Sequence, residues 1–241
     1  MDMAGIKYFL VACAITLMGS SFAQITEGKI IFERKTNLEK KFDDPRMAEI
    51  IKNNKSKIDN FEMFFNEKQS VFKPIPSTEV DELSWATTKN TVHQNIETDE
   101  RMSILDLMGN QVFVQDTMET RVWKITDSKR NIAGFECTKA IWQKDDSTRI
   151  YAWFAPAIVP SVGPEMFTGL PGAILGLATE DGGIIYFAKE VKAMNVPPTT
   201  FEYKVGKNDI YSVEGLRSDL LGRFGNQPWG KRMITDLFRW F

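Results

Sequence analysis

The chain has 241 residues, with 30 Lys or Arg against 32 Asp or Glu, so its net charge is −2. This balance argues against a broad surface for nucleic acid or anionic membrane, because such surfaces need an excess of basic residues. One histidine and two cysteines are too few for the clusters that hold structural metals. We therefore expect no nucleic-acid partner, no metal and no cofactor.

The first 23 residues have the pattern of a secretory signal peptide. Lys7 precedes a mostly apolar run from Tyr8 to Met18, and Ser21-Phe22-Ala23 is a small-x-small cleavage site. The run is shorter than the roughly 20 residues of a membrane span. An uncleaved anchor and a lipid-modified Cys13 are the alternatives, the second disfavoured by the short distance from Lys7. We expect an exported protein, periplasmic or outer-membrane-associated, without an integral membrane segment after cleavage.

Cleavage would leave residues 24–241 with Cys137 as the only cysteine, which excludes an intramolecular disulfide. Near the start of this part, we predict a strand over residues 28–36 and a helix over residues 43–58. Asp43 or Asp44 can cap that helix, and Pro45 suits its first position.

After this helix, alternating apolar residues and turn formers predict a series of short strands up to residue 196. Phe61, Met63 and Phe65 fall on one face of the first of them. Asp127-Ser128 and Asp181-Gly182 are expected to be turns between strands. Consecutive strands at this spacing are most simply antiparallel neighbours. The remaining predicted strands are 111–116, 120–126, 134–144, 148–156, 173–179 and 183–191.

Residues 197–241 are predicted to form a helical appendage to the 24–196 domain. Ser212 caps a helix over 212–224, and 227–241 carries an apolar stripe at four-residue steps. An outer-membrane barrel is disfavoured, because Leu237-Phe238 and Trp240-Phe241 break the alternation of a barrel strand. The expected fold class is mainly β (α+β), a curved antiparallel sheet with a helix near each end.

The stretch "GPEMFTGLPGAILG" (163–176) combines two prolines and four glycines with one charge, Glu165. Pro171 and Gly172 suit the central positions of a type II turn, and Gly169 permits a close approach because it has no Cβ. We interpret Gly169, Pro171 and Gly172 as a structural turn.

The connection that contains this turn is apolar as well as proline-rich. A loop of this length usually either closes the core or lines a site. Both interpretations stay open. The candidate residues for an apolar binding site are Trp153, Phe154, Ile158, Val159, Met166, Phe167 and Leu170.

"GLPGAIL" resembles the signature of the GLPGLI family of exported Gram-negative proteins, with Ala173 where the family name has Leu. Further matching pieces are "FFNEKQSVFKP" (64–74), "IAGFECTKA" (132–140), "AWFAP" (152–156) and "GP" (163–164). The resemblance implies a β-rich envelope protein, encoded near outer-membrane transporters. The "GFECTKA" strand with its hairpin is similar to lipoprotein-carrier half-barrels. The resemblance carries no catalytic residues.

Side chains capable of catalysis are few. Cys137 lies within a predicted strand and is interpreted as a buried apolar residue. His93 lies in a polar run and is interpreted as solvated. Asp99-Glu100 is read as an ordinary turn. We expect a non-catalytic binding or carrier module for an apolar small molecule or an outer-membrane transporter. The alternatives are an enzyme with an unrecognised Cys or carboxylate site, and a structural or assembly protein.

Overall fold

The computed structural model describes residues 24–42, 44–77, 81–107, 109–145 and 148–241. The predicted signal peptide, residues 1–23, lies outside the described residues. The same holds for Asp43, one of the two residues considered as a helix cap.

The fold is mainly β, as predicted, and its strands form one open sheet. Neighbouring strands are antiparallel, except that β12 runs parallel to β6. Their order across the sheet is β12-β6-β5-β4-β3-β2-β1-β11-β10-β9-β8-β7. The strands of the described residues are β1 (Gly28–Asn37), β2 (Ser56–Phe65), β3 (Gln69–Pro74), β4 (Thr91–Asn95), β5 (Glu100–Leu107), β6 (Asn110–Thr117), β7 (Lys124–Ile132), β8 (Phe135–Gln143), β9 (Arg149–Ala155), β10 (Ala173–Thr179), β11 (Ile184–Ala193) and β12 (Ile210–Tyr211).

The helices lie near the two ends of the described chain. They are α1 (Leu38–Lys41), α2 (Pro45–Ile51), α3 (Val213–Phe224) and α4 (Gly230–Leu237), with 3-10 turns at Ser84–Ala86 and Pro198–Phe201. The predicted caps are confirmed, because Asp44 accepts from the backbone N of Arg46 at 2.8 Å and Ser212 accepts from that of Gly215 at 3.1 Å.

The helix predicted over 43–58 was too long. It ends at Ile51, and β2 begins at Ser56 because its backbone pairs with β1 along the whole strand. Ile58, assigned to the apolar face of that helix, is 55% exposed on the strand. Its neighbours Phe61, Met63 and Phe65 are fully buried, as their alternation predicted.

The expected turn at Asp127-Ser128 is also wrong. These residues lie inside β7, where the pairing register with β8 shifts between Ile125 and Lys129. The chain turns at Ala133-Gly134 instead, with φ of +51° and +88°. Two consecutive residues with positive φ are what a tight two-residue hairpin requires, because its twist matches that of the strands.

One face of the sheet carries the main core, and we call it the inner face. It is the side of Phe32, Phe61 and Phe72, which are completely or almost completely buried. Residues of α3 and α4 pack on the same face further along the sheet, at Leu105 and Val114. The opposite, outer face carries a small cluster in which Val71 packs against Val196 and Phe201.

The sheet is strongly curved around the last residues of the chain. The Arg101 guanidinium of β5 lies 5.6 Å from the Phe241 ring, while Trp240 belongs to a group of aromatic rings that includes Trp142 of β8. Seven strands separate β5 from β8, or about 38 Å across a flat sheet. Two consecutive residues reach both sides only because the sheet bends around them.

Residues 197–241 were expected to form an appendage, but they contact both faces of the sheet. Phe201 packs on the outer face, and α3 and α4 pack on the inner face. This segment also supplies β12, which extends the sheet beside β6. The division of the chain at residue 196 stays a prediction.

Candidate functional site

The connection from β9 to β10, residues 156–172, covers the inner face. The side chains of Phe154, Ile158, Met166, Phe167 and Leu170 are buried in the main core or at its edge. The apolar character of the loop is thus used for packing, which is one of the two interpretations left open by its sequence.

Two of the candidate binding residues lie elsewhere. Val159 is 43% exposed. Trp153 follows Ala152 on β9 and so faces the other side of the sheet, where the Arg130 guanidinium lies 4.6 Å from its ring. The seven residues proposed from the sequence do not form one surface, and their role in binding stays a prediction.

The turn after Leu170 differs from a type II turn. The backbone N of Gly172 donates to the Leu170 carbonyl at 2.8 Å, and that of Ala173 donates to the Ile158 carbonyl at 2.9 Å. Glycine is required for a different reason from the one expected. Gly172 has φ +139°, and a Cβ there would lie 2.3 Å from the Ala155 carbonyl oxygen. The turn fastens the loop to the end of β9.

Phe167 of the loop belongs to an aromatic cluster with Trp123, Trp142 and Trp240. The Phe167 centroid lies 6.3, 6.1 and 5.3 Å from those of the three tryptophans, respectively. Such tilted and edge-on contacts stabilise aromatic side chains beyond the area they bury. The cluster joins β8, the loop and the C-terminal residues.

Arg121 lies at the centre of this cluster. Its guanidinium is 4.8 Å from the Phe167 ring and 5.0 Å from the Trp142 ring. Its Nη1 donates to the Met166 carbonyl at 2.9 Å, and its Nη2 donates to the Trp240 carbonyl at 3.3 Å. Burial lowers the pKa of Arg121 to about 10, so the side chain stays charged at neutral pH. One cation therefore connects the loop to the chain end.

Residues 238–241, which we call the tail, are held through their backbone carbonyls and through three aromatic side chains. Besides the bond from Arg121, Lys144 Nζ donates to the carbonyls of Arg239 at 3.2 Å and Phe241 at 2.7 Å. Only the indole of Trp240 is inserted among the aromatic rings of the cluster. Phe238 and Phe241 pack instead beside α3 and α4, so the contacts combine three aromatic side chains with carbonyl groups that any peptide segment has.

A second group of buried side chains lies under the loop, and we call it the ion network. Arg34 donates to Asp59 at 2.8 Å and to the Tyr186 hydroxyl at 3.3 Å, and its Nη1 is 3.6 Å from Glu165. Tyr186 donates to Glu165, and Thr87 donates to Asp59 at 2.9 Å. All five side chains are buried.

Burial and pairing act in opposite directions on these groups. Burial raises the pKa of Glu165 above its usual value, although Arg34 opposes the shift. For Asp59 burial also acts to raise the pKa, but Arg34 and Thr87 outweigh it and the pKa is lowered. Burial, followed by Glu165, raises the pKa of Tyr186 well above 10.

A cavity of about 20 Å³ lies between the ion network and the tail. Its lining includes Arg34, Lys41, Asp236 and Trp240. This volume is enough for about one water molecule. A substrate does not fit a cavity of this size, and the five side chains of the network are bonded to one another.

The sequence did not predict Arg34, Asp59, Arg121 or Tyr186 as important residues. One signal was available at Arg34, which follows Ile30 and Phe32 at the same two-residue step along β1. A charge on the buried face of a strand needs a partner, and finding that partner requires the fold.

The residues considered for catalysis are not brought together. Cys137 is fully buried in the main hydrophobic cluster, and burial raises the pKa of its thiol to about 11, which disfavours the reactive thiolate. His93 lies on the outer face of β4 and is 9% exposed, so its interpretation as a solvated residue was wrong. Asp99 has φ +56° and forms an exposed turn before β5.

In the described part of the chain no group of three His, Cys, Asp or Glu side chains is placed to hold a metal ion. None of the helices described combines the length and the apolar character needed to cross a membrane.

A protein family of unknown function, Porph_ging, matches residues 142–176, from the end of β8 to the middle of β10. The matched segment contains the whole 156–172 loop and the glycine turn. No curated protein has a significant sequence match to this chain.

Several solved structures resemble the fold. PNGF-II, solved in two crystal forms, has a TM-score of 0.53 at 14% identity over 77–78% of this chain. An uncharacterised conserved protein from Thermus thermophilus has a TM-score of 0.43 at 8% identity, covering 84% of this chain and 99% of its own. MucB has a TM-score of 0.40 at 7% identity, covering 77% and 60%. The chain spans 31% of the PNGF-II chain, and at this identity the likeness concerns the fold alone.

Proposed function

We propose that this chain is an exported envelope protein of the GLPGLI type that binds a partner protein without catalysing a reaction. Its binding site is the aromatic cluster on the inner face, and an aromatic-bearing segment of an outer-membrane partner occupies that site in place of the chain's own tail.

The observation that carries this proposal is the way in which the tail is held. Arg121 and Lys144 donate to three consecutive backbone carbonyls, and Trp240 fills the space beside Phe167. The carbonyl contacts do not depend on side-chain identity, so another segment that adopts the same turn and carries a suitably placed aromatic ring makes the same set. Recognition of a main chain plus one buried anchor is a common way of binding peptides.

An apolar small molecule is the competing ligand. The cavity between the ion network and the tail holds only about 20 Å³, so a small molecule would also have to displace Trp240. It would remove the Trp240 carbonyl that accepts from the buried Arg121 Nη2 and leave that atom only Glu119, at 3.2 Å, whereas a peptide supplies a new carbonyl. This difference favours a peptide segment over a lipid-like ligand.

The test uses a peptide of residues 232–241, RMITDLFRWF, as the probe. Trp240→Ala should weaken the tail and open the site, so we expect this variant to bind the peptide at least about tenfold more tightly than the unchanged protein. Isothermal titration calorimetry measures both affinities. The matched control is the same peptide with alanine in place of its tryptophan, which should bind neither protein.

Failure of both proteins to bind would overturn the proposal, provided that the variant keeps a cooperative thermal transition. If Trp240→Ala unfolds, Trp240→Leu serves in its place, because it also removes the indole from the cluster but keeps an apolar side chain. Native mass spectrometry of protein purified gently from the periplasm tests the competing ligand. Extra mass that organic solvent removes would favour a carrier of apolar molecules and contradict the partner proposal.

A further inference from the structure

A second cavity, of about 120 Å³, opens on the outer face, on the opposite side of the sheet from the tail. It lies between the segment at Phe201 and four neighbouring strands, β3 to β6. Their register places Val71 opposite His93, His93 opposite Met102, and Met102 opposite Gln115. Side chains that define the cavity are Gln69, His93, Asn95, Met102, Gln115 and Tyr203.

His93 presents one defined hydrogen-bonding atom to this cavity. Its Nδ1 lies 3.1 Å from the Phe201 carbonyl oxygen, which can only accept, so Nδ1 carries the proton. Burial lowers the pKa of His93 to about 4, so the ring is neutral near pH 7. Nε2 then has a free lone pair and is an acceptor.

Three amide side chains supply further donors and acceptors. Within the part of the chain that the structure describes, the side chains of Gln69 and Gln115 have no hydrogen-bond partner. Asn95 Oδ1 accepts from the backbone N of Glu97 and Thr98, at 3.1 and 3.3 Å, which leaves its amino group as a donor. None of these groups carries a formal charge.

The nearby charges are paired or lie at the rim. Arg101 lines the cavity, but its guanidinium belongs to the inner face, where Nε donates to Asp116 Oδ1 at 2.8 Å and the group contacts the Phe241 ring. Lys73, which acts on His93, pairs with Glu62 at 3.4 Å. Glu100 is exposed and accepts from the Thr98 hydroxyl at 2.8 Å. A small anion would need an available cation here, and a metal ion would need several carboxylates, so both classes fit the site poorly.

An aromatic ring forms one wall. The Tyr203 ring lies 4.8 Å from the His93 ring, and Tyr203 is 42% exposed, so part of its face is open. A flat apolar wall beside neutral amides suits a ligand with C–H groups on one face and hydroxyl groups around its edge. A fully apolar ligand would leave the amides unpaired.

We propose that this outer-face cavity binds one neutral sugar ring, with one side of the ring against Tyr203 and its hydroxyls toward Gln69, Asn95 and His93. A closed cavity of about 150 Å³ holds a benzene molecule, so a hexose would enter 120 Å³ only in part and keep its other end in solvent. The site is therefore suited to one unit of a longer glycan.

Titration of ¹⁵N-labelled protein with glucose, galactose, mannose and N-acetylglucosamine tests the proposal. At least one sugar should cause saturable shifts of the Gln69, Asn95 and His93 amide signals, with a Kd of roughly millimolar size. Tyr203→Ala should raise that Kd at least about fivefold, and Gln69→Leu should do the same by removing both hydrogen-bonding atoms. Tyr151→Ala removes another tyrosine from the sheet and should leave the Kd unchanged.

The proposal is overturned if no sugar gives saturable shifts or if the shifts lie away from the cavity. Equal weakening by Tyr203→Ala and Tyr151→Ala also overturns it, because the effect would then be one of stability. Saturation by inorganic phosphate but by no sugar would assign the site to an anion instead.

Discussion

The two faces of the sheet bury ionisable side chains in opposite ways. On the inner face Arg34 keeps its charge because Asp59, Glu165 and Tyr186 surround it. On the outer face His93 is bonded to a carbonyl, and Lys73, the charged neighbour that affects it, disfavours its protonation. The same burial therefore produces a fixed charge on one face and a neutral acceptor on the other.

This contrast shows that the charges and hydrogen bonds around a buried ionisable group decide its protonation state more than the extent of its burial does. A buried charge is stable only with compensating charges and hydrogen bonds, whereas a histidine without them becomes neutral. The inner face is consequently specialised for holding its own chain together. The outer face retains hydrogen-bonding atoms that a ligand can use.

The largest expected effect comes from breaking the ion network. Arg34→Met should lower the free energy of unfolding by about 3–5 kcal/mol, because it leaves Glu165 buried without its cation and leaves Asp59 with only Lys57 and Lys89, at 3.5 and 3.4 Å. Urea denaturation measures the change. Lys29→Met is the matched control on the same strand, since Lys29 pairs with Glu62 in a half-exposed position and should cost no more than about 1 kcal/mol. Similar losses in both variants would contradict the distinction between the two faces.

The next effect concerns the pH dependence of stability. The pKa of His93 is about 4 in the folded protein, against an ordinary value of 6.5, so the unfolded chain binds more protons between these values. Stability from this residue is complete above about pH 6.5, falls as the pH drops, and stops falling below about pH 4. The total is on the order of 3 kcal/mol.

Unfolding free energies of the unchanged protein and His93→Gln, measured between pH 3.5 and 7.5, isolate this contribution from that of the carboxylates. The difference between the two curves should change across the stated window. A constant difference would mean that His93 is solvated, as the sequence first indicated.

The smallest of the three effects is at the glycine turn. Gly172→Val should cost about 1–3 kcal/mol, because valine resists positive φ and its Cβ would meet the Ala155 carbonyl. Gly182→Val separates the two causes, since Gly182 has φ +67° but no atom within 4 Å of a built Cβ. Thermal melting should show the smaller loss for Gly182→Val. The reverse order would remove the close approach as the reason for glycine.

Local patterns predicted the elements that depend on local chemistry. The alternation of Phe61, Met63 and Phe65 identified a buried strand face, and Asp44 and Ser212 were recognised as caps. Strand β4 was missed because His93, Gln94 and their neighbours are polar, although pairing with β3 and β5 buries them. Their burial is due to neighbouring strands that lie outside any short stretch of the sequence around them.

The candidate sites were less predictable for the same reason. Glu165 was noted as the one charge in an apolar loop, but its partners Arg34 and Tyr186 come from β1 and β11. The cavity at His93 is closed by Phe201, more than a hundred residues later. Each site is made by contacts between strands that are distant in the sequence. Short sequence patterns do not indicate which of these strands will be neighbours in the sheet.

The position of β1 in the middle of the sheet has a consequence for how the chain folds. β1 pairs with β2 immediately after it but also with β11, matching Gly28 with Ala193. During synthesis the early strands can form a meander, yet one edge of it stays unpaired until β11 arrives. Pairings of such long sequence separation slow folding. Until they form, the unpaired N–H and C=O groups of β1 can pair with another chain and cause aggregation. A chaperone that covers the free edge of β1 until β11 is available should therefore raise the yield of folded protein.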